Sequence, residues 1–515
     1  MAYNNIPKEK LQLAVRGEKI SDKKLDTKAM GYFADAFRRF KKNKSSVLAA
    51  IIIIIQLLFA IFVPMVSNYN VTFRDGFYSF CLPKCEGLEW LGWDGCRTEV
   101  EKNQAGYDYL ASIGYEYGDS AVVEIVKKYN DPLTGNAMYD LRVDTYTKVG
   151  FAYLDLTQEE YTALKEYQNQ TGIQVMYPIP ETYKVEYVSL TDTANLWYKL
   201  ADESPMSKGD TLNHDENGNP IYENNYKTGG KNYGKYDSIR IPGDDGTAGE
   251  DGDEWFVYAV KNQTGYRVRV LYSEYYQYVN GFEANHLFGT NQYGQDILVC
   301  LASGARLSFL LAICVSAINL LIGVVYGAIE GYYGGTADLI MERVRDILSS
   351  VPFIVVSTLF QLHLAEKVGV LPSLLFAFVL TGWIGIAGRV RTQFYRFKGQ
   401  EYILAARTLG ASDARLIFRH ILPNSLGTIV TGTILIIPGV IFSESMLSYL
   451  GIINLETSGM TSIGTMLSHG RTYLSTYPHI IMFPAVFIAL LEISFNLFGN
   501  GLRDALNPSL RGADE

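Results

Sequence analysis

A long run without charged residues lies near the start of the chain and limits what it can fold into. Residues 45–73 contain no Asp, Glu, Lys or Arg and include the stretch VLAAIIIIIQLLFAIFVPMV. A helix of about 20 apolar residues crosses the hydrocarbon core of a bilayer. Five consecutive isoleucines with apolar neighbours would be hard to keep soluble. This run therefore predicts a membrane-spanning helix.

Five more apolar segments follow, and each is long enough to cross a bilayer. They lie at residues 307–329, 347–365, 370–388, 426–447 and 480–499. The last two contain Glu444 and Glu492, and ionisable groups at such depth usually face a bundle interior or a water-filled path. Both glutamates are therefore candidate polar groups of a pathway or of the bundle interior. The sequence predicts an α-helical polytopic membrane protein with six transmembrane helices.

Basic residues mark the cytoplasmic side of membrane proteins. The stretch FADAFRRFKKNK precedes the first span and is amphipathic and basic, which is typical of an interfacial helix at the cytoplasmic face. Because the first run begins after 44 mostly polar residues and lacks a small-residue cleavage pattern, we do not interpret it as a cleaved signal peptide. Six spans return the C-terminus to the cytoplasm, where the very basic loop 389–424 also lies.

The long segment between the first two spans is then predicted to be extracytoplasmic. Residues 67–286 contain 35 acidic and 19 basic side chains, whereas the whole chain has a net charge of −9. A segment of about 220 residues is long enough to bury its own core. We therefore divide the chain into a cytoplasmic segment 1–44, a first transmembrane helix 45–66, an extracytoplasmic domain 67–286, and a membrane core 287–515 with five transmembrane helices.

The extracytoplasmic segment has the pattern of an inserted α+β domain with many turns. YNDPLTGNAMYDLRV (129–143) and HDENGNPIYENN (214–225) place turn residues between alternating apolar and polar positions, which predicts hairpins. LTQEEYTALKEYQNQTG (156–172) has an N-cap Thr, a glutamate three residues later and a final Gly, which predicts a helix. IPGDDGTAGEDGDEW (241–255) is a glycine-rich acidic loop.

Three cysteines, Cys81, Cys85 and Cys96, cluster early in this domain. In an oxidising compartment the candidate disulfide joins Cys96 to either Cys81 or Cys85, and the third thiol is free or pairs with Cys300. Zinc is disfavoured because no histidine accompanies the cysteines at ligand spacing. The stretch DENGN (215–219) has oxygen-bearing side chains at alternate positions, but we interpret it as a turn rather than a calcium loop.

The chain shows no motif of a catalytic or nucleotide-binding site. YKTGGKNYG (226–234) lacks the spacing and the hydroxyl of a phosphate-binding loop. HExxH, GxSxG and the kinase motifs are absent from the sequence. The acidic outer segment also disfavours nucleic acid as a partner. The chain is therefore predicted to be a non-catalytic membrane subunit that binds no metal or cofactor itself.

The stretch EYILAARTLGASDARLIFRHILPN (401–424) is a polar, helical interruption between two apolar segments. Good helix formers occupy 401–409, and Gly410 is placed to end that helix in the left-handed conformation. Ser412 supplies an N-cap for a second helix, 413–421, which Pro423 is predicted to end. The sequence therefore predicts two short helices with a sharp turn, exposed to the cytoplasm.

This stretch resembles the signature cytoplasmic loop of permease subunits in ABC importers. That signature reads E-A-A, three residues, Gly, nine residues, I-x-L-P. Here Leu404 stands at the glutamate, followed by Ala405, Ala406 and Gly410, and HILP (420–423) places a histidine at the usual isoleucine. Ala405, Ala406 and Gly410 form a small, flat surface that another protein can approach closely.

Three further stretches are similar to the C-type (OppC/DppC-like) permeases of oligopeptide, dipeptide and nickel importers. They are HLFGTNQYGQDILVCLASGARLSF, GYYGGTADLIMERVRDILSSVPF and FNLFGNGLRDALNPSLRG. The resemblance covers about residues 30–66 and 285–513 and leaves out the inserted domain, which is longer than the corresponding loop of the family.

The resemblance implies a type I ABC importer permease in a bacterial plasma membrane, importing oligopeptides. A homologous second permease would complete the pathway, two ABC ATPase subunits would bind ATP and Mg, and an extracytoplasmic substrate-binding lipoprotein would deliver the peptide. The ATPase-docking residues implied on this chain are Glu401, Ala405, Ala406, Arg407, Leu409, Gly410, Ala411 and Ser412.

Other functions stay open at the level of the sequence. Dipeptide and nickel permeases share these motifs. A membrane-anchored extracytoplasmic receptor, or a transporter that needs no ATPase, would explain the spans but leave the 401–424 stretch without a role. The inserted domain is a candidate for docking the binding protein, covering the outer gate or contacting the second permease.

Overall fold

The structure combines a bundle of apolar helices with an α+β part inserted between the first two long helices. This computed structural model describes residues 32–113, 120–177, 179, 236–241, 254–455 and 460–506. The predicted hairpin at 214–225 lies outside the described residues, as does most of the acidic loop at 241–255.

Two helices lead into the membrane part. Helix α1 (Tyr32–Lys42) and helix α2 (Lys44–Val66) are separated by Asn43. The side-chain oxygen of Asn43 accepts the N–H of Ser46 at 3.3 Å, and this N-cap starts α2 as a separate helix. Helix α2 begins one residue before the predicted span 45–66 and ends at the same residue.

The first sheet of the α+β part is a three-stranded antiparallel sheet in the order β1–β3–β2. Its elements are β1 (Cys96–Asn103), helix α3 (Gln104–Ser112), β2 (Val122–Asn130) and β3 (Ala137–Asp144). Tyr139, Leu141 and Val143 of β3 form a small buried core with Leu110 of α3. The antiparallel pairing of β2 with β3 confirms the predicted hairpin at 129–143.

The second sheet is built around one central strand. Its elements are β4 (Phe151–Thr157), helix α4 (Gln158–Thr171), β5 (Met176–Tyr177), β6 (Tyr236–Ile241), β7 (Glu254–Lys261), β8 (Gly265–Leu271) and helix α5 (Tyr272–Asn280). Strand β8 pairs with β4, β5 and β7, and β6 pairs with β7. Helix α4 confirms its predicted start, because Thr157 and Glu160 form a capping box, and Gly172 ends it in the left-handed conformation.

The segment just before the second long helix joins the α+β part to the bundle. The Thr290 hydroxyl donates to the Tyr78 carbonyl at 2.5 Å and accepts the Cys81 N–H at 2.8 Å. The ring of Phe80 stacks on Tyr477 of the segment before the last long helix, with centroids 4.4 Å apart. These contacts tie residues 78–81 to two separate segments of the bundle part, one at Thr290 and one at Tyr477.

The bundle continues with a set of helices from residue 297 onward. They are α6 (Ile297–Tyr333), α7 (Gly335–Ser349), α8 (Phe353–Val368), α9 (Val370–Gly382), α10 (Ile384–Phe397), α11 (Glu401–Thr408), α12 (Asp413–Arg415), α13 (Leu422–Ile434), α14 (Ile436–Tyr449), α15 (Ile463–Arg471) and α16 (His479–Leu506). Five helical stretches are long and apolar enough to cross a membrane. They are Lys44–Val66, Ile297–Tyr333, Val370–Phe397, Asp413–Tyr449 and His479–Leu506.

The third predicted span differs from the structure. Residues 347–365 were expected to form one straight helix, but α7 and α8 meet there at a bend of 72°. Pro352 precedes α8, and a proline restricts the residue before it to extended conformations, which interrupts the helix. Counting the bent pair as one span brings the number in the described part of the chain to six.

A line of glycines lets α6 and α10 pack at close range. Gly323, Gly327 and Gly331 recur every fourth residue, so they lie on one face of α6. A Cβ atom at Gly327 would lie 2.3 Å from the Ala387 carbonyl oxygen on α10. Gly323 and Gly331 meet α10 at similarly short distances. The backbones of the two helices therefore approach each other as in other membrane-helix pairs with small residues at their contact.

The cysteines Cys81, Cys85 and Cys96 are free thiols, so the structure does not contain the predicted disulfide. Each sulfur contacts a different carbonyl oxygen: Cys81 that of Thr145, Cys85 that of Glu86 and Cys96 that of Asp94. Burial raises the pKa of Cys81 well above its usual range and that of Cys96 to about 12. Burial therefore disfavours the thiolate form of both cysteines.

Replacing Gly327 by Ala is expected to destabilise the protein. The new methyl group has no room between α6 and α10, and overpacking of this kind costs about 1–3 kcal/mol. Gly385→Ala on α10 is the matched control, since nothing lies within 4 Å of its Cβ position. Thermal unfolding of the purified protein in detergent should show a lower Tm for Gly327→Ala and an unchanged or higher Tm for Gly385→Ala. Equal Tm values would contradict the close packing.

Candidate functional site

The predicted turn at Gly410 is present and has a well-defined helix ending. Helix α11 stops at Thr408, and Gly410 has φ +83°. The N–H of Gly410 donates to the Arg407 carbonyl at 3.0 Å, and that of Ala411 donates to the Ala406 carbonyl at 3.1 Å. These two bonds form a Schellman motif, which satisfies the last carbonyl groups of the helix and needs a left-handed residue at its centre.

The turn presents an exposed leucine and small residues to solvent. Leu409 is 88 % exposed, although it is a large apolar side chain. The predicted docking residues that share this exposed surface are Glu401, Ala405, Arg407, Gly410 and Ser412, while Ala406 and Ala411 are half-buried. An apolar residue at the tip of a tight, polar turn is typical of a surface that is covered by a partner.

The opposite side of the 401–424 stretch is buried against the bundle. Ile403, Leu416 and Ile421 are fully buried and belong to one apolar cluster with Tyr332 of α6 and Phe394 of α10. The turn is therefore not a loose loop, because its apolar underside is packed onto the ends of two long helices.

The second predicted helix of this stretch, 413–421, is wrong in detail. Asp413–Arg415 forms a single α-helical turn, Leu416–Ile421 is π-helical, and α13 follows without a stop. Pro423 does not end a helix but lies in the first turn of α13, where its missing N–H is not needed. Ser412 occupies the N-cap position, yet its side chain makes no capping hydrogen bond.

A tyrosine hydroxyl joins both arms of the turn to the end of α6. The Tyr332 hydroxyl donates to the Asp413 carboxylate at 2.5 Å and accepts from the Arg407 guanidinium at 3.2 Å. Arg407 lies before Gly410 and Asp413 after it, so one side chain holds the turn from both sides. Sequence reasoning missed this contact because Tyr332 lies 75 positions before Arg407 and 81 positions before Asp413 in the chain.

A buried ion-pair cluster lies next to this contact. Glu330, which is fully buried, accepts two hydrogen bonds from Arg345 at 2.8 and 3.2 Å. Arg391 donates to Asp338 at 2.6 and 2.8 Å and lies 3.5 Å from Glu330. The cluster therefore connects α6, α7 and α10 at the end of the bundle that also holds the 401–424 stretch.

Lys398, directly after α10, also contacts α6 at this end of the bundle. Its ammonium group donates to the Gly331 carbonyl at 2.9 Å and lies 4.0 Å from the centre of the Tyr395 ring. Burial lowers the pKa of Lys398 from its usual value. The basic loop predicted from the sequence thus contributes side chains to the structure itself as well as to its surface.

The two glutamates within the spans have different surroundings. Glu444 is buried and accepts hydrogen bonds from Ser308 of α6 and Ser448 of its own helix, both at 3.0 Å. The structure thus places Glu444 in the bundle interior. Glu492 on α16 is half-buried, and its Oε1 atom has no hydrogen-bond partner among the described residues. Their roles in a pathway remain predictions.

Among the residues that the structure describes, no group of three or more His, Cys, Asp or Glu side chains is arranged to hold a metal ion. The polar side chains at the end of the bundle that holds the 401–424 stretch instead satisfy one another in ion pairs. The geometry supports a docking surface held rigidly on a helical bundle.

Comparison with known proteins identifies the family. A family model described as "binding-protein-dependent transport system inner membrane component" matches residues 319–512, and one described as "N-terminal TM domain of oligopeptide transport permease C" matches residues 31–80. The oligopeptide transport system permease protein OppC of Bacillus subtilis is 43 % identical over 227 residues, which are 44 % of this chain and 73 % of that protein. The chain belongs to this family of transport permeases.

Other relatives agree with this assignment. The dipeptide transport system permease protein DppC of Bacillus subtilis is 39 % identical and the match covers 44 % of this chain and 70 % of that protein. OppC of Haemophilus influenzae is 40 % identical, with 44 % and 72 % covered. A chain of the inward-facing MetNI methionine ABC transporter is similar at 16 % identity and a TM-score of 0.34, covering 40 % of this permease and 96 % of that chain.

Removing Arg345 is expected to destabilise this permease. Arg345→Met leaves the buried Glu330 carboxylate with only the more distant Arg391, and an unpaired buried charge costs up to about 3–5 kcal/mol. The double variant Glu330→Gln with Arg345→Met removes both charges and should recover most of the lost Tm. Thermal unfolding of both variants in the same detergent measures this. A double variant as unstable as Arg345→Met would mean that the ion pair does not explain the loss.

Proposed function

We propose that this permease forms one half of the membrane pathway of an ATP-driven peptide importer. The observation that carries this proposal is its membership of a family whose similar members are named oligopeptide and dipeptide transport permeases. A second, homologous permease forms the other half. The chain supplies the path and a docking surface, and it takes no catalytic role of its own.

Oligopeptides are the proposed substrate, with dipeptides as the alternative. Over the aligned residues this chain is 43 % identical to the oligopeptide permease of Bacillus subtilis and 39 % identical to the dipeptide permease, so identity favours the former only slightly. In the proposed assembly an extracytoplasmic lipoprotein binds the peptide and releases it to the two permeases.

The exposed Leu409–Gly410 turn is proposed to dock on an ATPase subunit. Ala405 and Gly410 leave space for close approach, and Leu409 supplies an apolar side chain for a groove on the partner. Because Tyr332 holds both arms of the turn, a movement of the ATPase would be passed directly to α6. ATP and Mg bind to the ATPase subunits, whose closure would rock the helices between inward-open and outward-open states.

The proposed topology has six spans, with both termini in the cytoplasm and residues 67–286 outside. The bent pair α7–α8 supplies the sixth span. Arg38, Arg39, Lys41, Lys42 and Lys44 lie beside the first span and the basic loop 389–424 lies at the same proposed side, as cytoplasmic loops do. The matched family segments lie on either side of most of 67–286, which fits an insertion into a permease. The proposed role of residues 67–286 is to dock the binding protein or to cover the outer gate.

Changing the turn is expected to separate ATP hydrolysis from transport. Gly410→Val should disturb the turn, since φ +83° is unfavourable for a β-branched residue, and Leu409→Ser should remove the apolar contact. With the full complex in proteoliposomes, both variants should lose most uptake of a labelled oligopeptide, while basal ATP hydrolysis by the ATPase subunits continues without stimulation by peptide.

Leu474→Ser is the matched control for this experiment. Leu474 is also exposed, at 53 %, but lies in the connection between α15 and α16 on the proposed outer side. The control should retain uptake. Normal uptake by both turn variants in an intact complex would refute the proposed docking surface, and uptake without any ATPase subunit would refute the importer assignment.

A further inference from the structure

A short loop before the first sheet exposes two large apolar side chains. The loop spans residues 85–93 and is closed by the Cys85 N–H, which donates to the Trp93 carbonyl at 2.9 Å. At its tip Trp90 is 78 % exposed and Leu91 is 49 % exposed. Gly92, with φ +84°, ends the tight turn that carries them. Such a tip is too apolar to be explained as an ordinary water-exposed turn.

The base of this loop is attached to the outer end of α16. The Trp93 indole N–H donates to the Leu287 carbonyl at 2.6 Å. The Trp93 ring lies 6.5 Å from Phe483, and Phe483 stacks on Phe288 with ring centres 4.0 Å apart. The loop is therefore held at the level of Phe483 on the transmembrane helix.

Phe483 lies where the hydrocarbon core should end. Helix α16 carries Arg503 in its last turn, on the proposed cytoplasmic side. Twenty residues separate Phe483 from Arg503, and at 1.5 Å per residue this is about 30 Å, the thickness of a bilayer core. Trp93 and Phe288, whose rings contact Phe483, are thus at the outer membrane–water interface.

The apolar surface continues from this level into the membrane. Met482, Val486 and Leu490 are large, exposed side chains spaced by four residues on α16, so they form one stripe along the helix. This stripe is exposed as expected for side chains that contact lipid. Trp93, at the base of the loop that carries Trp90 and Leu91, lies 6.5 Å from Phe483, which is next to Met482 at the upper end of this stripe.

We propose that the Trp90–Leu91 tip inserts into the outer leaflet, at the boundary between lipid headgroups and acyl chains. Tryptophan prefers this layer because its ring is apolar and its N–H is polar. The Glu89 carboxylate beside Trp90 accepts the Gly87 N–H at 2.9 Å, a hydrogen bond to the loop's own backbone. The inserted domain would then rest on the bilayer beside α16 and keep its orientation over the pathway.

The inference rests on the proposed extracytoplasmic position of residues 67–286. The test places the photoreactive residue p-benzoylphenylalanine at position 90 of the full complex, in vesicles of phosphatidylcholine and phosphatidylglycerol. Irradiation and mass spectrometry then identify what the permease is attached to. Position 133 is the control, because Leu133 is 94 % exposed. Leu133 precedes β3, and the first residue of that strand is about 24 Å along it from Asp144. The Asp144 carboxylate contacts Lys84, directly before the loop 85–93, so position 133 lies beyond the far end of the strand from that loop.

Lipid adducts should be several-fold more abundant at position 90 than at position 133. Equal yields at the two positions, or adducts mainly to the second permease or to the binding protein, would overturn the proposal. The position of the domain is tested separately by Leu133→Cys in intact cells with a membrane-impermeant maleimide. Labelling well above that of the unsubstituted chain supports the outside position, whereas its absence refutes that position without depending on any lipid adduct.

Discussion

The Tyr332 hydroxyl makes the contact on which the proposed mechanism depends. It joins Arg407 and Asp413, the residues on either side of the exposed turn, to the end of α6. Glu330 lies two residues earlier on the same helix, and its buried ion pair with Arg345 connects α6 to α7. A buried ion pair adds little stability compared with a well-packed apolar pair, but it specifies one arrangement of the groups that form it. A docking surface that transmits movement needs such a defined arrangement.

Helix α6 also links this end of the molecule to the inserted domain. It begins directly after Asp296, whose carboxylate caps the helix through the Val299 N–H at 2.8 Å and also contacts His286 at 2.8 Å. Its 37 residues form one unbroken helix about 55 Å long. The N-terminal end of α6 is therefore tied to the α+β part and the C-terminal end to the turn. The glycine stripe between them packs α10 along the same helix, so the three features belong to one rigid unit.

Local patterns in the sequence were sufficient to predict several elements. The first span, the capping box of Thr157 and Glu160, the hairpin at 129–143 and the left-handed Gly410 all depend on neighbouring residues, and the structure confirms them. The family was also recognised from short motifs and is confirmed by the comparisons.

Features that depend on distant residues could not be predicted in this way. The partners of Glu330, Arg345 and Arg391 are set by how α6, α7 and α10 pack, and no spacing rule reports that packing. The π-helical turn at Leu416–Ile421 and the place of Pro423 within α13 likewise arise because buried side chains hold the backbone against its local preferences.

The proposed contact between the turn and an ATPase subunit can be tested directly. p-Benzoylphenylalanine in place of Leu409, in the complete transporter, should form a covalent link to an ATPase subunit on irradiation, and ATP should change the yield of that link. The same residue at position 474 should form none. A turn that never cross-links to an ATPase, while the complex still imports peptide, would contradict the account.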